Sequence, residues 1–292
     1  MKLPYRKSQT KWTYIFRNNT WGFWMLLPSI VGVAVFHVIP MAEIFKRSFT
    51  NNTTKVFVGF QNYISVIGNP SFKLAVKNTV LFLGTCIPIL LFFSLMVAYL
   101  VSKKKDDIRK TVMLIPMAIP VASIVLVWKL MFSRYGLLDK LTGGFTGGVD
   151  FLNSKWAFGV LVITYVWRNI GYDVILWVAA FNSVDRSIYE AADMDGASKL
   201  VQFRYITWPC ILPYGSVIVI LSLLNAFKAF REVYLIAGEY PNQSIYLIQH
   251  LFNNWLVDLR LENLCAAAVL VLIVVSLAAL LFQKALNKDV YS

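Results

Sequence analysis

Apolar residues gather into six long runs along this chain, and short polar segments separate the runs. The runs cover about residues 22–42, 78–101, 111–132, 156–181, 211–238 and 264–283. A helix needs about 20 apolar residues to cross the hydrocarbon core of a bilayer, and its backbone groups must bond within the segment. The pattern therefore predicts an all-α polytopic membrane protein with about six transmembrane helices.

Prolines lie inside these runs, among them Pro28, Pro88, Pro116 and Pro120. We expect them to kink the helices rather than end them, because neighbouring helices can satisfy the carbonyl groups that each proline frees. The first run has no small-residue cleavage site behind it, so we expect an uncleaved span rather than a signal peptide.

The composition agrees with a membrane protein. Hydrophobic residues make up 58% of the 292 positions and charged residues only 15%, whereas soluble domains carry roughly 25% charged residues. The formal net charge of +13 raises the possibility of nucleic-acid binding, but no segment combines basic and aromatic residues in the way that such a surface requires. The three cysteines and two histidines form no spacing typical of a metal or disulfide site.

The distribution of basic residues predicts the orientation. If residues 1–21, 102–110, 182–210 and 284–292 are cytoplasmic, the inner segments carry 15 Lys and Arg over 68 positions, against 9 over 83 in the outer loops. Cytoplasmic segments are enriched in Lys and Arg. We therefore expect a cytoplasmic N-terminal segment at 1–21, a transmembrane domain at 22–283 with a cytoplasmic loop at 182–210, and a cytoplasmic tail at 284–292.

That loop is a compact polar segment between two apolar runs. Ser187 and Glu190 stand as S-x-x-E, the spacing of a capping box, which predicts a short helix from Ile188 to Asp195. Gly196 is well placed to end this helix in a left-handed conformation.

A second short helix is expected to follow in the same loop. Ser198 is placed to cap a helix over Lys199–Thr207, just before Pro209. Leu200 and Phe203 would share one face and pack the loop against the inner ends of the spans.

The first helix of the loop carries small residues and acidic flanks, a combination that suits a groove on a partner protein. A membrane-surface helix would instead favour Lys and Arg. The alternative is a solvated connector in which Glu190 does nothing but cap.

Polar side chains inside the spans form two stripes. Such side chains are costly in a bilayer and tend to face protein or water, so we take them as candidates for the lining of a solute path. The alternative is that they form structural bonds between helices, above all Arg168. Lys228 and Glu232 would be able to pair. The candidate solute-pathway residues are Asn169 and Asp173 in the fourth run, and Asn225, Lys228 and Glu232 in the fifth.

The loop resembles the "EAA" loop of the membrane subunits of binding-protein-dependent ABC importers. That loop reads E-A-A, three residues, G, nine residues, I, one residue, L-P, and every spacing matches here except that Trp208 replaces leucine. Further stretches, such as FVGFQNY at 57–63 and VWRNIGYDVILWVAAF at 166–181, resemble the sugar-type branch, although GEYP replaces its usual G-G-P element. The residues carried over to an ATPase-coupling loop are Glu190, Ala191, Ala192, Asp195, Gly196, Ile206 and Pro209.

The resemblance implies the type I permease fold and an ATP-driven importer, most simply for a carbohydrate. The partners it implies are a second, non-identical permease subunit, two copies of an ABC ATPase and an extracytoplasmic solute-binding protein, in a bacterial-type plasma membrane among lipid. The chain lacks G-x-x-x-x-G-K-[ST], so ATP and Mg²⁺ would belong to the ATPase. We expect no catalytic residue, cofactor or metal site, and no nucleic-acid partner.

Other functions remain open at this point. An ion-coupled secondary transporter should show internal repeats or discontinuous helices with paired charges, and the sequence shows neither clearly. A membrane enzyme should show a catalytic motif such as HExxH or GxSxG, and none occurs. An ABC permease for a solute other than sugar has the same loop, so the loop does not exclude it.

Overall fold

The computed structural model describes residues 20–102, 112–141, 144 and 147–290, which form helices joined by loops, with one isolated antiparallel bridge between Thr50 and Phe57. Helix α1 comprises Thr20–Val33, a π-helical turn at Ala34–Val38, and Ile39–Ser48. The following helices are α2 (Gln61–Gly68), α3 (Pro70–Ser102), α4 (Ile115–Ala118), α5 (Val121–Phe132), α6 (Leu137–Leu141), α7 (Ala157–Asn182), α8 (Arg186–Met194), α9 (Lys199–Ala237), α10 (Ile248–Val257) and α11 (Leu261–Val290).

Four of the described helices, α1, α3, α9 and α11, are long and apolar enough to cross a bilayer. The polytopic all-α architecture is thereby confirmed. The fourth predicted run forms the 26-residue helix α7, whose interior Arg168, Asn169 and Asp173 make it more polar than these four. The cytoplasmic placement of both ends stays a prediction; residues 1–19, 103–111 and 291–292 lie outside the described residues, and α11 continues through most of the predicted tail.

The third predicted run, 111–132, is not one helix. Within its described part, Ile119 leaves α4 in an extended conformation and Pro120 occupies the N-cap of α5. Proline disfavours the helical conformation of the residue before it, so Pro120 breaks this segment where we expected a kink. Pro28 and Pro88, by contrast, lie inside continuous helices, as expected.

Helix α7 occupies the centre of the fold and packs along α3, with α4 and α9 on its other sides. The main apolar core lies at the α3–α7 contact, where Phe82 of α3 meets Tyr165 of α7 edge to face at 5.3 Å. Gly171 lets α7 approach the backbone of Met113 closely: a Cβ atom at Gly171 would lie 1.7 Å from the Met113 carbonyl oxygen. Only glycine permits this contact.

Helix α10 was not expected from the sequence, which placed residues 239–263 in an outer loop. Its residues Ile248, Leu251 and Trp255 are buried against α3 and α11. Its first backbone N–H, that of Ile248, donates to the hydroxyl of Thr79 on α3 at 2.9 Å. The helix is therefore tied into the bundle by its apolar face and by a cap supplied from another helix.

Candidate coupling loop and solute cavity

Helix α8 begins two residues before the predicted start. Its N-cap is Asp185, whose side chain accepts the backbone N–H of Ser187 at 3.0 Å. This hydrogen bond lowers the pKa of Asp185 below its ordinary value, because it stabilises the charged carboxylate. The capping box predicted at Ser187 and Glu190 is wrong: the Glu190 side chain is exposed and forms no hydrogen bond with the described residues.

Gly196 ends α8 as the sequence predicted. Its φ of +75° lies in the left-handed region, its N–H donates to Asp193 O, and the N–H of Ala197 donates to Ala192 O. These two bonds form a Schellman motif. The turn that redirects the chain between the two halves of the loop is therefore set by local sequence.

Asp193 joins the two halves of the loop. Its carboxylate accepts Lys199 Nζ at 2.7 Å and Gln202 Nε2 at 2.6 Å. The hydrogen bond from Lys199, and then that from Gln202, lowers the pKa of Asp193. Gln202 is buried and also donates to Ala197 O, so one carboxylate holds the turn closed.

The second half of the loop does not end before Pro209. Ser198 caps the segment as predicted, with its hydroxyl accepting the N–H of Val201, but the chain then runs through a π-helical turn at Phe203–Thr207 into the rest of α9. Pro209 has no N–H to donate, and single π-helical turns occur inside helices at such irregular positions. The loop is thus continuous with a membrane-crossing helix.

One face of the loop packs inward. Tyr189 donates to or accepts from the Thr207 hydroxyl at 2.8 Å, and Phe203 and Ile206 pack against the core at the ends of α3 and α7. The prediction for Leu200 is wrong, since 79% of this residue is exposed.

The opposite face of α8 is open. Glu190, Ala191, Asp195 and Gly196 are exposed, Ala192 is half-buried, and Met194 is 89% exposed. Within the described part of the chain, neither Glu190 nor Met194 takes part in the hydrogen bonds that hold the loop together. These side chains are therefore available to a partner without any cost to the loop itself.

A cavity of about 340 Å³ lies between α4, α5, α7, α9 and α10; we call it the central cavity. Three of the five candidate pathway residues, Asn169, Asn225 and Glu232, line it. Side chains from helices distant in sequence therefore converge on one space, which is what a solute path requires.

The described partner of Glu232 is Arg168. Arg168 Nη1 donates to the Glu232 carboxylate at 2.8 Å, with 13% and 12% of the Arg168 and Glu232 side chains exposed. Arg168 therefore forms a structural bond between helices, the alternative that the sequence left open for it. It also lines the cavity. Lys228 lies in the 3₁₀ turn Phe227–Ala229 of α9, and its side chain lies outside the described residues. The pairing of Glu232 with Lys228 stays a prediction.

Asp173 is not among the residues that line the cavity. It is 1% exposed, and its carboxyl oxygen lies 2.8 Å from the hydroxyl of Ser222 on α9. The same hydroxyl lies 2.8 Å from the Ile218 carbonyl oxygen. The contact joins α7 to α9, so its geometry is that of a bond between helices.

Sequence reasoning missed three polar residues that line the central cavity: Tyr165, Arg231 and Gln249. Tyr165 lies four residues before Asn169, on the same face of α7, and that spacing was a usable signal. Gln249 donates to the Phe227 carbonyl oxygen and comes from α10, a segment that the sequence predicts as a loop, so its position depends on the tertiary structure.

Comparison with known proteins assigns the fold. Residues 78–291 match the family described as binding-protein-dependent transport system inner membrane component. The chain belongs to this family. The coupling loop and the central cavity both lie within the matched region.

Named relatives agree with this membership. The chain is 30% identical, over 75% of its length and 75% of the relative's, to the sulfoquinovosyl glycerol transport system permease protein SmoG of Agrobacterium fabrum. It is 28% identical, over 82% of its length and 84% of the relative's, to the trehalose/maltose transport system permease protein MalF of Thermococcus litoralis. Among solved structures, a chain of a bacterial ABC transporter involved in the import of the acidic polysaccharide alginate superposes with a TM-score of 0.79 at 23% identity, covering 95% of this chain and 98% of that one. That likeness confirms the permease fold.

Proposed function

We propose that this chain is one membrane subunit of an ATP-driven importer for a carbohydrate, working in the plasma membrane with a second, non-identical permease subunit. The family description supports a binding-protein-dependent transporter. The sugar class follows from the relatives named for sulfoquinovosyl glycerol and for trehalose and maltose. Two ATPase subunits that use ATP and Mg²⁺, and an extracytoplasmic binding protein, would complete the assembly.

Helix α8 is the element that docks on an ATPase subunit in this proposal. The observation that supports it most strongly is the division between its two faces. Tyr189 and Asp193 hold the loop to itself and to the bundle, whereas Glu190 and Met194 are exposed without a role in that structure. Because the loop continues from α8 through the π-helical turn into α9, a force on α8 is passed to a wall of the central cavity.

The proposed transport step is a shift between two states of the membrane helices. ATP binding would close the ATPase pair and move α8, and the helices around the central cavity would then turn the cavity from one side of the membrane to the other. Such a change requires only that ATP bind one state better than the other.

The coupling role is tested by Glu190→Lys in the reconstituted transporter. Asp185, not Glu190, caps α8, so this change leaves the helix intact while reversing a charge on its open face. We expect solute uptake to be lost and solute-stimulated ATPase activity to fall to its basal level, with normal assembly. Unchanged uptake and ATPase activity would show that α8 does not couple the two.

A matched control separates docking from folding. Glu239→Lys reverses an exposed charge in the segment before α10, where the only described hydrogen bond to its side chain comes from Tyr234. We expect it to leave ATPase coupling unchanged.

The path is tested by Asn225→Leu, which removes a polar group of the cavity wall. We expect altered solute-dependent ATPase turnover in an assembled complex. Loss of assembly instead would assign Asn225 a structural role.

A further inference from the structure

The wall of the central cavity contains a buried hydroxyl without a partner. Tyr165 lines the cavity and is 1% exposed, and its hydroxyl has no hydrogen-bond partner among the described residues. The edge-to-face contact with Phe82 fixes the ring. A buried hydroxyl is unfavourable until a polar group reaches it. Because Tyr165 borders the cavity, a solute that enters the cavity is one source of such a polar group.

The charges of the described side chains in the same wall do not sum to zero. Arg168 and Glu232 neutralise each other at 2.8 Å. Arg231 also lines the cavity, is exposed, and forms no ion pair with the described residues. One guanidinium is therefore left to act on the contents of the cavity, and charges of one sign in a cleft raise the local concentration of ions of the opposite sign.

The cavity also has room and a surface for a sugar ring. Its volume of about 340 Å³ lies in the range of small-molecule sites, roughly 300–1,000 Å³. Phe227 and Phe230 border it and offer apolar faces beside the polar groups.

We propose that the central cavity selects a carbohydrate that carries an acidic group, with Arg231 binding the acid and the Tyr165 hydroxyl donating to a sugar oxygen. Arginine suits this role because its planar guanidinium binds a carboxylate or sulfonate through paired N–H groups. This inference rests on the proposed function, in which the central cavity is the solute path, and it adds the charge of the solute to it.

The first test measures the field in the cavity without a solute. In the assembled transporter, Cys86, Cys210 and Cys265 are replaced by serine, and the substitution Asn225→Cys introduces a reporter thiol. The thiol is labelled with two methanethiosulfonate reagents, one carrying an anionic sulfonatoethyl group and the other a cationic trimethylammonium-ethyl group. The two labelling rates are compared in the absence of nucleotide and again with nucleotide trapped in the transporter. We expect Arg231→Gln to lower the anion-to-cation ratio of rates by about fivefold, the effect of one charge several ångströms away in a water-filled site.

Two controls accompany this measurement. Arg231→Lys keeps the charge and is expected to keep the ratio. Lys129→Gln removes an exposed cation of α5 that does not line the cavity, and it is expected to leave the ratio unchanged. A ratio that does not respond to Arg231→Gln, as expected if Arg231 meets only lipid headgroups, would overturn the selectivity but leave the path in place. No labelling in either state would show that the cavity is closed to water, and the proposed path would then fail as well.

The second test uses protection of the same reporter thiol by solutes. Glucuronate and galacturonate should protect it from labelling at lower concentrations than glucose and galactose. Tyr165→Phe removes only the hydroxyl, and we expect it to raise the half-protecting uronate concentration about fivefold, the value of one hydrogen bond. Equal protection by the neutral sugars, or protection by neither class, would overturn the proposal.

Discussion

The Arg168 guanidinium lies 2.8 Å from the Glu232 carboxylate and joins α7 to α9 at the wall of the central cavity. The two residues are 64 positions apart in the sequence. In a bilayer each charge alone is costly, so the pair removes a penalty that either side chain would otherwise impose. The pair also sets the relative position of the two helices.

We predict that removing one member of the ion pair destabilises the transporter more than removing both. Glu232→Leu should destabilise the assembled transporter by about 3 kcal/mol, since it leaves Arg168 without its partner in a mostly buried site. The double variant Arg168→Met, Glu232→Leu should recover most of that loss. Thermal unfolding of the purified complex measures both. Additive losses in the double variant would show that the pair contributes nothing beyond its separate residues.

The close approach at Gly171 gives a second prediction. Gly171→Ala places a Cβ atom against the Met113 carbonyl oxygen, and because backbone rather than a flexible side chain must move, we expect α7 to shift and assembly to fall sharply. Gly159→Ala is the matched control in the same helix, where a Cβ meets no atom within 4 Å. It should be neutral or stabilise α7 by up to about 1 kcal/mol. Yield of assembled complex compares the two, and equal behaviour would contradict the contact.

The turn held by Asp193 should respond to acid. The pKa of Asp193 is lowered by the hydrogen bonds from Lys199 and Gln202. Because the pKa is lower in the folded turn than in the unfolded chain, the charged carboxylate stabilises the turn at pH values above its ordinary pKa of about 4. This contribution is lost as the pH falls through the lower pKa of the folded state. Hydrogen exchange at the Ala197 amide, within the turn, should therefore lose protection in acid.

A pair of substitutions isolates the same carboxylate. Asp193→Asn should accelerate exchange at neutral pH and reduce the further effect of acid, because the charged partner of Lys199 is already gone. Asp195→Asn changes an exposed carboxylate of the same loop for which the structure describes no side-chain hydrogen bond, and it should leave exchange unchanged. Equal exchange rates in the two variants would exclude the turn-closing role of Asp193.

The contact between Asp173 and Ser222 predicts which substitutions are tolerated. The Ser222 hydroxyl donates to the Asp173 carboxyl oxygen and to the Ile218 carbonyl oxygen, each at 2.8 Å. Asp173→Asn keeps an acceptor oxygen in a side chain of the same shape and should preserve assembly and uptake. Asp173→Leu should lose about 1–3 kcal/mol through the lost partner and altered packing, measured by thermal unfolding. A severe loss in the asparagine variant would show that the negative charge itself is needed.

Features set by neighbouring residues could be predicted from the sequence. The apolar runs located α3, α7, α9 and α11, and the positions of Gly196 and Ser198 located the turn of the loop, because caps and left-handed glycines depend on a few adjacent residues. The start of α8 was misplaced for the same local reason. Asp185 and Ser187 both suit an N-cap, and spacing alone favoured Ser187.

Contacts between distant parts of the chain were decided only by the tertiary structure. Glu232 pairs with Arg168 because α7 brings the guanidinium to α9. Helix α10 is capped by Thr79 of α3, and its Gln249 completes a wall whose other members lie on α4, α5, α7 and α9. Sequence spacing reports which side chains share a helical face, but which faces meet is set by packing among helices, and the central cavity exists only where they meet.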